Sequence, residues 1–400
     1  MGPSPERALA GRAHDVLLVG CGAEIGSLLL GMNDPARDGI AISAVVTNPI
    51  ADQSRHPHLH PLHSLYARLV LADPRLVDEV SVDLAHGRLV IRGRPIDVLW
   101  GDAATVSLDT LGRSFAACVV ATSKAHIANR AFMERFLSVS RFVAGVAEAS
   151  NLPALYPSLV GAPDRLLGNP SRPLGDARVV AFGSCQTNGW QAQLRGLLEA
   201  AVRGGCASFD IVGAELDIVH PDTPQGRLGT KSIDPRSQDP RNNLRPSFSQ
   251  VETAMRRLFP GRHGINTISL RTLTMPPGYQ IARFFFRYER PDTRRFTTQE
   301  FAESFADTAR AMPSTLRVTD TPLGSRAYEM VESAAVVLAG KRYLRYSDNP
   351  FAMAGPPSAR VAELITQAYV HNTRGYCRSV LNVIRHLVTT TAPKAFFPAA

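Results

Sequence analysis

Cys185 lies in the run Gly183-Ser184-Cys185-Gln186-Thr187-Asn188, between an apolar segment ending Val179-Val180-Ala181-Phe182 and a helical stretch from Trp190 to Val202. A cysteine on a strand-to-helix turn faces the positive end of the helix, which lowers a thiol pKa and makes a nucleophile. A partner base need not be close in sequence. His220, at the end of the apolar segment Ile218-Val219, has the right chemistry for that role. The other cysteines, Cys21, Cys118, Cys206 and Cys377, read as small buried apolar residues.

The elements that must hold this pair follow from the pattern upstream. Val16-Leu17-Leu18-Val19 reads as a strand, Gly20-Cys21-Gly22-Ala23-Glu24-Ile25-Gly26 as a turn, and Ser27 to Leu30 as the start of a helix. Strand, glycine turn and helix open a Rossmann-type dinucleotide-binding unit, with a diphosphate over the helix N-terminus. The spacing G-x-G-x-x-x-G is one residue longer than the usual fingerprint. A second strand, Ala41 to Val46, ends at Thr47-Asn48-Pro49. Asn48 stands where an acidic residue normally grips the ribose, and it does not repel a 2′-phosphate, so both NAD and NADP are candidates. A hairpin is expected over Val80 to Leu99, turning at Ala85-His86-Gly87, with further strands at Ala116–Ala121 and Arg141–Val146. Strands alternating with helices through residue 183 predict a mostly parallel sheet.

Beyond Cys185 the pattern predicts an α+β region with a mixed or antiparallel sheet. Its parts are a long polar loop from Pro221 to Pro246, a helix over Phe248–Leu258, and strands near Ile265–Leu273 and Tyr279–Tyr288. A helix over Phe301–Met312 and a strand over Ala334–Leu338 follow. Phe284-Phe285-Phe286 reads as a strand buried on both faces or at a subunit contact. An amphipathic helix from Gly375 to Val388 closes the chain. The expected division is a dinucleotide-binding domain over 1–183, a catalytic domain over 184–370, and a C-terminal helix over 371–400 returning to the first domain.

Composition narrows the function classes. The chain has 400 residues, 44% of them apolar, and no apolar run reaches the roughly 18 residues of a membrane span. Residues 1–14 lack the apolar core of a secretory signal. Five scattered cysteines without C-x-x-C spacing argue against a disulfide framework or a zinc site. A cytoplasmic protein that meets neither membrane nor metal is the expectation. The formal net charge of +9 comes from dispersed arginines without a basic–aromatic repeat, which points to anionic small molecules rather than nucleic acid. Arg55-His56-Pro57-His58-Leu59-His60-Pro61-Leu62-His63 reads as a surface loop, because its prolines break any regular ligand face.

Five segments in order resemble the phosphorylating glyceraldehyde-3-phosphate dehydrogenase family. Gly183-Ser184-Cys185-Gln186-Thr187-Asn188 is similar to its Ser-Cys-Thr-Thr-Asn, and Val219-His220-Pro221-Asp222-Thr223 to its Val-His-x-x-Thr. Pro276-Pro277-Gly278 through Arg287-Tyr288-Glu289-Arg290-Pro291 looks like its Pro-Thr-Pro-Asn strand and Arg-Leu-Glu-Lys-Pro ending. Val318-Thr319-Asp320-Thr321-Pro322-Leu323 resembles Val-Thr-Asp-Glu-Pro-Leu, and Asn372-Thr373-Arg374-Gly375-Tyr376 resembles Asn-Glu-Trp-Gly-Tyr. The resemblance implies that Cys185 attacks an aldehyde and that His220 acts as its base. It further implies oxidation with NAD or NADP to a thioester, which inorganic phosphate cleaves. By the same likeness Asn372 and Tyr376 lie on the cofactor side; aligned without gaps, Cys21 and Ala23 take the places of the family's first two glycines, or else the turn carries an insertion and Gly20, Gly22 and Gly26 serve. Ile25, Asn48 and Thr122 complete the expected cofactor side, with Arg55 a candidate for the adenosine ribose. Ser184, Thr187, Thr223, Ser249 and Arg271 form the substrate and phosphate side, and a homotetramer is implied.

The departures fall outside the nucleophile. Glu24 stands where the family holds the diphosphate with an arginine, Gln250 stands for a glycine, and Leu273 takes the place of a phosphate-binding arginine. Arg271, one strand period away, points to the same face. Two alternatives stay open: a non-phosphorylating enzyme of the same fold, and a binding or regulatory protein without turnover.

Overall fold

A strand that is apolar at every position needs cover on both faces, and β1 (His14–Val19) has it: Val16 to Val19 are fully buried. The computed structural model describes residues 13–49, 58–168, 171–221, 245–262, 264–272, 277–352, 354–355, 360–391 and 393–395. After β1 come α1 (Glu24–Met32), α2 (Pro35–Asp38), β2 (Ile40–Thr47), α3 (Pro61–Ala72), β3 (Val80–Asp83), β4 (Arg88–Ile91) and β5 (Arg94–Trp100). Then follow β6 (Phe115–Val120), α4 (Lys124–Ala128), α5 (Arg130–Glu134), β7 (Ser140–Gly145), the short β8 (Arg172–Pro173) and β9 (Val179–Ala181). Eight of these strands form one sheet in the order β3-β4-β5-β2-β1-β6-β7-β9. From β5 to β9 every pairing is parallel, and the hairpin of β3, β4 and β5 adds an antiparallel edge.

The order of this sheet reverses at β1, which lies between β2 and β6. Loops leaving the carboxyl ends of two strands on either side of such a reversal diverge and leave a crevice. One face of the sheet is covered by α1, α3 and the C-terminal helix, with Leu28, Leu65, Val380 and Ile384 in a common core. On the other face Ile127, Phe132, Met133 and Phe136 pack against Leu17, Val19 and Val120.

The second half begins with α6 (Cys185–Arg203), β10 (Ser208–Pro221), β11 (Arg245–Ser247), α7 (Val251–Leu258), β12 (Gly264–Thr272) and β13 (Gly278–Glu289). It continues with α8 (Thr298–Ala311), β14 (Leu316–Thr319), β15 (Ala335–Leu338), β16 (Arg345–Asp348), β17 (Ala362–Val370) and α9 (Arg374–Thr389). A final strand, β18 (Lys394–Ala395), pairs with β8. The second sheet runs β11-β12-β10-β13-β17-β15-β14, with β16 also on β17; β10–β12 and β14–β15 are parallel and the other pairs antiparallel. The protein is thus a mixed α/β fold with two mixed sheets. α6, α7 and α8 share one core with the second sheet through Trp190, Leu197, Leu258, Phe301 and Phe305.

Several boundaries move from their expected places. α6 starts at Cys185 rather than near Trp190, because Ser184 accepts a hydrogen bond from the Thr187 N–H and caps the helix there. α7 starts at Val251, leaving Phe248 exposed ahead of it. His60 caps α3 by accepting from the Leu62 N–H, and Pro61 takes the first helical position, so Pro61 to His63 is helix rather than loop. Phe284 and Phe286 are fully buried, whereas Phe285 is only half-buried on the opposite face and packs on Phe351. The triple phenylalanine therefore alternates as a strand must, and is not covered equally on both faces. The expected loop after Pro221 lies outside the described residues through 244.

Candidate active site

The cysteine turn is built from the end of β9. Gly183 has φ of +76°, a left-handed conformation that suits glycine. Space also demands glycine there, since a Cβ would lie 2.9 Å from the Tyr156 ring and 3.2 Å from Glu148 Oε2. The Tyr376 hydroxyl donates to the Gly183 carbonyl at 2.7 Å. Cys185 then occupies the first helical position of a 19-residue helix, half-buried and packed against the first-sheet core. Tyr376 and Cys377 lie within electrostatic reach of its thiol, and burial pushes both of their pKa values well up. Both therefore stay neutral at ordinary pH.

Ser184 and Thr187 use their hydroxyls on each other, at 2.9 Å, and Thr187 is fully buried. Gln186 is buried as well; its Oε1 accepts from Gln280 Nε2 at 2.6 Å, while its own Nε2 has no hydrogen-bond partner among the described residues.

His220 and Arg271 are direct neighbours across the parallel β10–β12 pair. His220 Nδ1 lies 2.6 Å from the Pro221 carbonyl oxygen and 2.5 Å from Arg271 Nη1. The two contacts require different tautomers. Donation from Nδ1 to the carbonyl puts the ring's basic lone pair on Nε2, whereas accepting from Arg271 puts the hydrogen on Nε2. Arg271 Nε also donates to Ser247 Oγ at 3.3 Å. Ser249 is buried at the approach to α7, where its Oγ accepts from the Val251 N–H at 3.3 Å. Thr223 and Arg55 lie outside the described residues.

The glycine turn after β1 sits at the crevice. Gly20 has φ of +91° and donates its N–H to the Val46 carbonyl at 2.8 Å. A Cβ at Gly26 would lie 1.9 Å from the Gly20 carbonyl oxygen, so α1 approaches the turn as only glycine allows. Gly22 is exposed with open space around it, and α1 has no side-chain cap at Ala23. The Thr47 hydroxyl accepts from the Cys21 N–H at 3.2 Å, and Asn48 beyond it is exposed. Thr122, at the end of β6, meets Gly20 with its methyl and holds its hydroxyl oxygen buried without a hydrogen-bond partner among the described residues. Ile25 is half-buried and Glu24, in the first turn of α1, has its pKa raised by burial against the opposing pull of Arg68. Asn372 is buried just before α9, where its Oδ1 accepts from the Gly278 N–H at 3.3 Å.

Two groups beside the cysteine turn carry no sequence signal. Glu148, 3% exposed, follows β7; its Oε1 accepts from Arg257 Nη1 at 2.7 Å and from the Tyr156 hydroxyl at 3.0 Å. Burial raises its pKa although Arg257 pulls the other way. Gln280 is the other, and only its neighbours in the fold show its place. Among the described residues no group of three or more His, Cys, Asp or Glu is arranged to hold a metal ion, and no helix is long and apolar enough to cross a membrane. No protein-family model matches the chain, and no curated protein matches it in sequence.

Proposed function

We propose that the protein is an NAD(P)-dependent aldehyde dehydrogenase that works through a covalent intermediate on Cys185. One observation carries this reading: Cys185 heads a capped 19-residue helix at the carboxyl end of a parallel strand in a sheet whose order reverses at β1. The left-handed Gly20, the close Gly26, the open uncapped start of α1 and the unpartnered Thr122 hydroxyl fit a dinucleotide. On this reading the first sheet is a Rossmann-type unit. Gly20, Gly22 and Gly26 would hold the diphosphate, Asn48 the ribose, and Thr122, Asn372 and Tyr376 the nicotinamide end.

The Cys185 thiolate adds to the aldehyde carbon and forms a thiohemiacetal, whose oxygen is stabilised by backbone N–H groups at the start of α6. His220, having taken the proton of the Cys185 thiol, lends it to the oxygen of the adduct and takes it back as the hydride departs. The nicotinamide, when bound, accepts the hydride that makes this adduct a thioester. Inorganic phosphate then attacks the thioester carbonyl, giving an acyl phosphate and returning the Cys185 thiolate. Arg271 supplies positive charge next to His220 for a phosphorylated or otherwise anionic aldehyde.

A second reading is favoured by a specific feature. Ser184 and Thr187 bond to each other, so two of the hydroxyls expected on the substrate and phosphate side are engaged inside the protein. In that reading water or a thiol resolves the thioester. The test is iodoacetamide labelling at neutral pH, read by mass spectrometry, alongside reduction of NAD(P) by phosphorylated aldehydes with and without phosphate. Fast stoichiometric labelling of Cys185, absent in Cys185→Ser, is expected; labelling no faster than that of free glutathione sinks the catalytic role. Product formation that ignores phosphate selects the second reading.

A further inference from the structure

Four side chains form an unbroken polar row inside the core between α6 and the second sheet. The Thr366 hydroxyl donates to Gln193 Oε1 at 2.8 Å, and Gln193 Nε2 donates to Gln280 Oε1 at 3.0 Å. Gln280 Nε2 donates to both the carbonyl oxygen of Gln186, at 3.0 Å, and its Oε1, at 2.6 Å. Thr366, Gln193 and Gln280 are fully buried, and Gln186 is 3% exposed.

The orientation of every amide in the row is fixed by one atom. The Gln186 backbone carbonyl can only accept, so the Gln280 atom touching it is nitrogen. Gln280 Oε1 must then face Gln193, whose nitrogen donates, which leaves Gln193 Oε1 to the hydroxyl of Thr366. Both hydrogens of Gln280 Nε2 are spent on Gln186. Apolar side chains would fill this space without the cost of burying amides, which is offset only while each bond is made.

The row ends at the residue after Cys185. Two residues before Gln280 on the same strand, the Gly278 N–H holds Asn372. The start of β13 thus grips the cysteine turn with one residue and Asn372 with another. We propose that Gln280 is a positioning residue, which registers the Cys185 turn of α6 against the strand end that holds Asn372. This rests on Cys185 being the nucleophile, as argued above. Loosening the grip changes where the Cys185 sulfur sits relative to the positive end of α6, and so how readily its thiol ionises.

The experiment measures the rate of iodoacetamide alkylation of Cys185 against pH in the full-length protein, together with Tm. Gln280→Met is expected to raise the pH midpoint by about one unit and lower the neutral-pH rate about tenfold. Thr366→Val, a mild change at the far end of the row, is expected to shift it the same way by about two- to threefold in rate. Phe286→Leu, in the same core but away from the row, lowers Tm and leaves the midpoint in place. The proposal is overturned if Gln280→Met and Thr366→Val leave the midpoint unchanged, or if Phe286→Leu moves it as far as they do. Slow alkylation of the unaltered protein would instead overturn the role of Cys185 itself.

Discussion

Cys185 and His220 are placed by different kinds of contact. The cysteine turn is held on three sides, by the Ser184 cap, the Tyr376 hydroxyl and the Gln280 amide. At the histidine, a carbonyl and a guanidinium compete for Nδ1. On the proposed mechanism, an anion that drew Arg271 away would leave Nδ1 to the carbonyl and put the basic lone pair on Nε2, linking substrate charge to base activation at a single atom. On the proposed reading, discrimination between NAD and NADP also belongs at this scale. Asn48 is exposed at the end of β2 and carries no charge to repel a 2′-phosphate. NADP is expected to bind at least as tightly as NAD, by titration of protein fluorescence with each. A strong preference for NAD would show that Asn48 does not set the selectivity.

At the scale of elements, the meeting of β1 and α1 makes the sharpest demand. The Cβ of alanine at 26 would lie inside the Gly20 carbonyl oxygen, at 1.9 Å, so α1 or the turn must shift. Gly26→Ala is expected to cost about 1–3 kcal/mol in urea denaturation and to weaken NAD(P) binding at least tenfold by calorimetry. Gly22→Ala, in open space, is expected to leave stability within about 0.5 kcal/mol. Equal losses in both would remove the packing argument. The same elements show what periodicity reveals. β1, β2, β6 and β7 are legible because buried parallel strands are apolar at nearly every position. The start of α6 is not, because Ser184, Thr187 and Asn188 are residue types that favour turns as readily as caps. Glu148 and Gln280 are silent in sequence for a different reason: their importance comes from Gly183 and Gln186, which only the tertiary fold brings near them.

At the scale of the molecule, α9 joins the two halves: it follows β17 of the second sheet and packs on α1 of the first. Its first turns are fastened by charge. Arg374 reaches Asp73 at 2.9 Å and Glu332 at 3.5 Å, and Arg378 reaches Asp38 at 2.7 Å and Glu332 at 3.0 Å. Arg37 and Arg75 join the same acids from the solvent side. Burial alone would raise the Asp73 pKa, but hydrogen bonds from Arg75 and Arg374 outweigh it and bring it down to about 2. Just ahead of α9, His371 is lowered to about 4, chiefly by burial and also by Arg374, with its bond to the Glu329 carbonyl and the charge of Glu332 opposing. Both groups bind protons more readily once unfolded, so both stabilise the fold at neutral pH and lose that effect on acidification. The His371 contribution is complete above about pH 6.5 and disappears as pH falls toward 4, whereas that of Asp73 disappears between about pH 4 and 2. The shifts correspond to about 2–3 kcal/mol for Asp73 and about 3–4 kcal/mol for His371. The midpoint of urea unfolding is therefore expected to fall in two stages as pH drops from 7. His371→Gln should shrink the first stage, to which His386, also lowered by burial, contributes, and leave the second; a first stage as large in His371→Gln as in the unaltered protein would show that His371 is not held neutral.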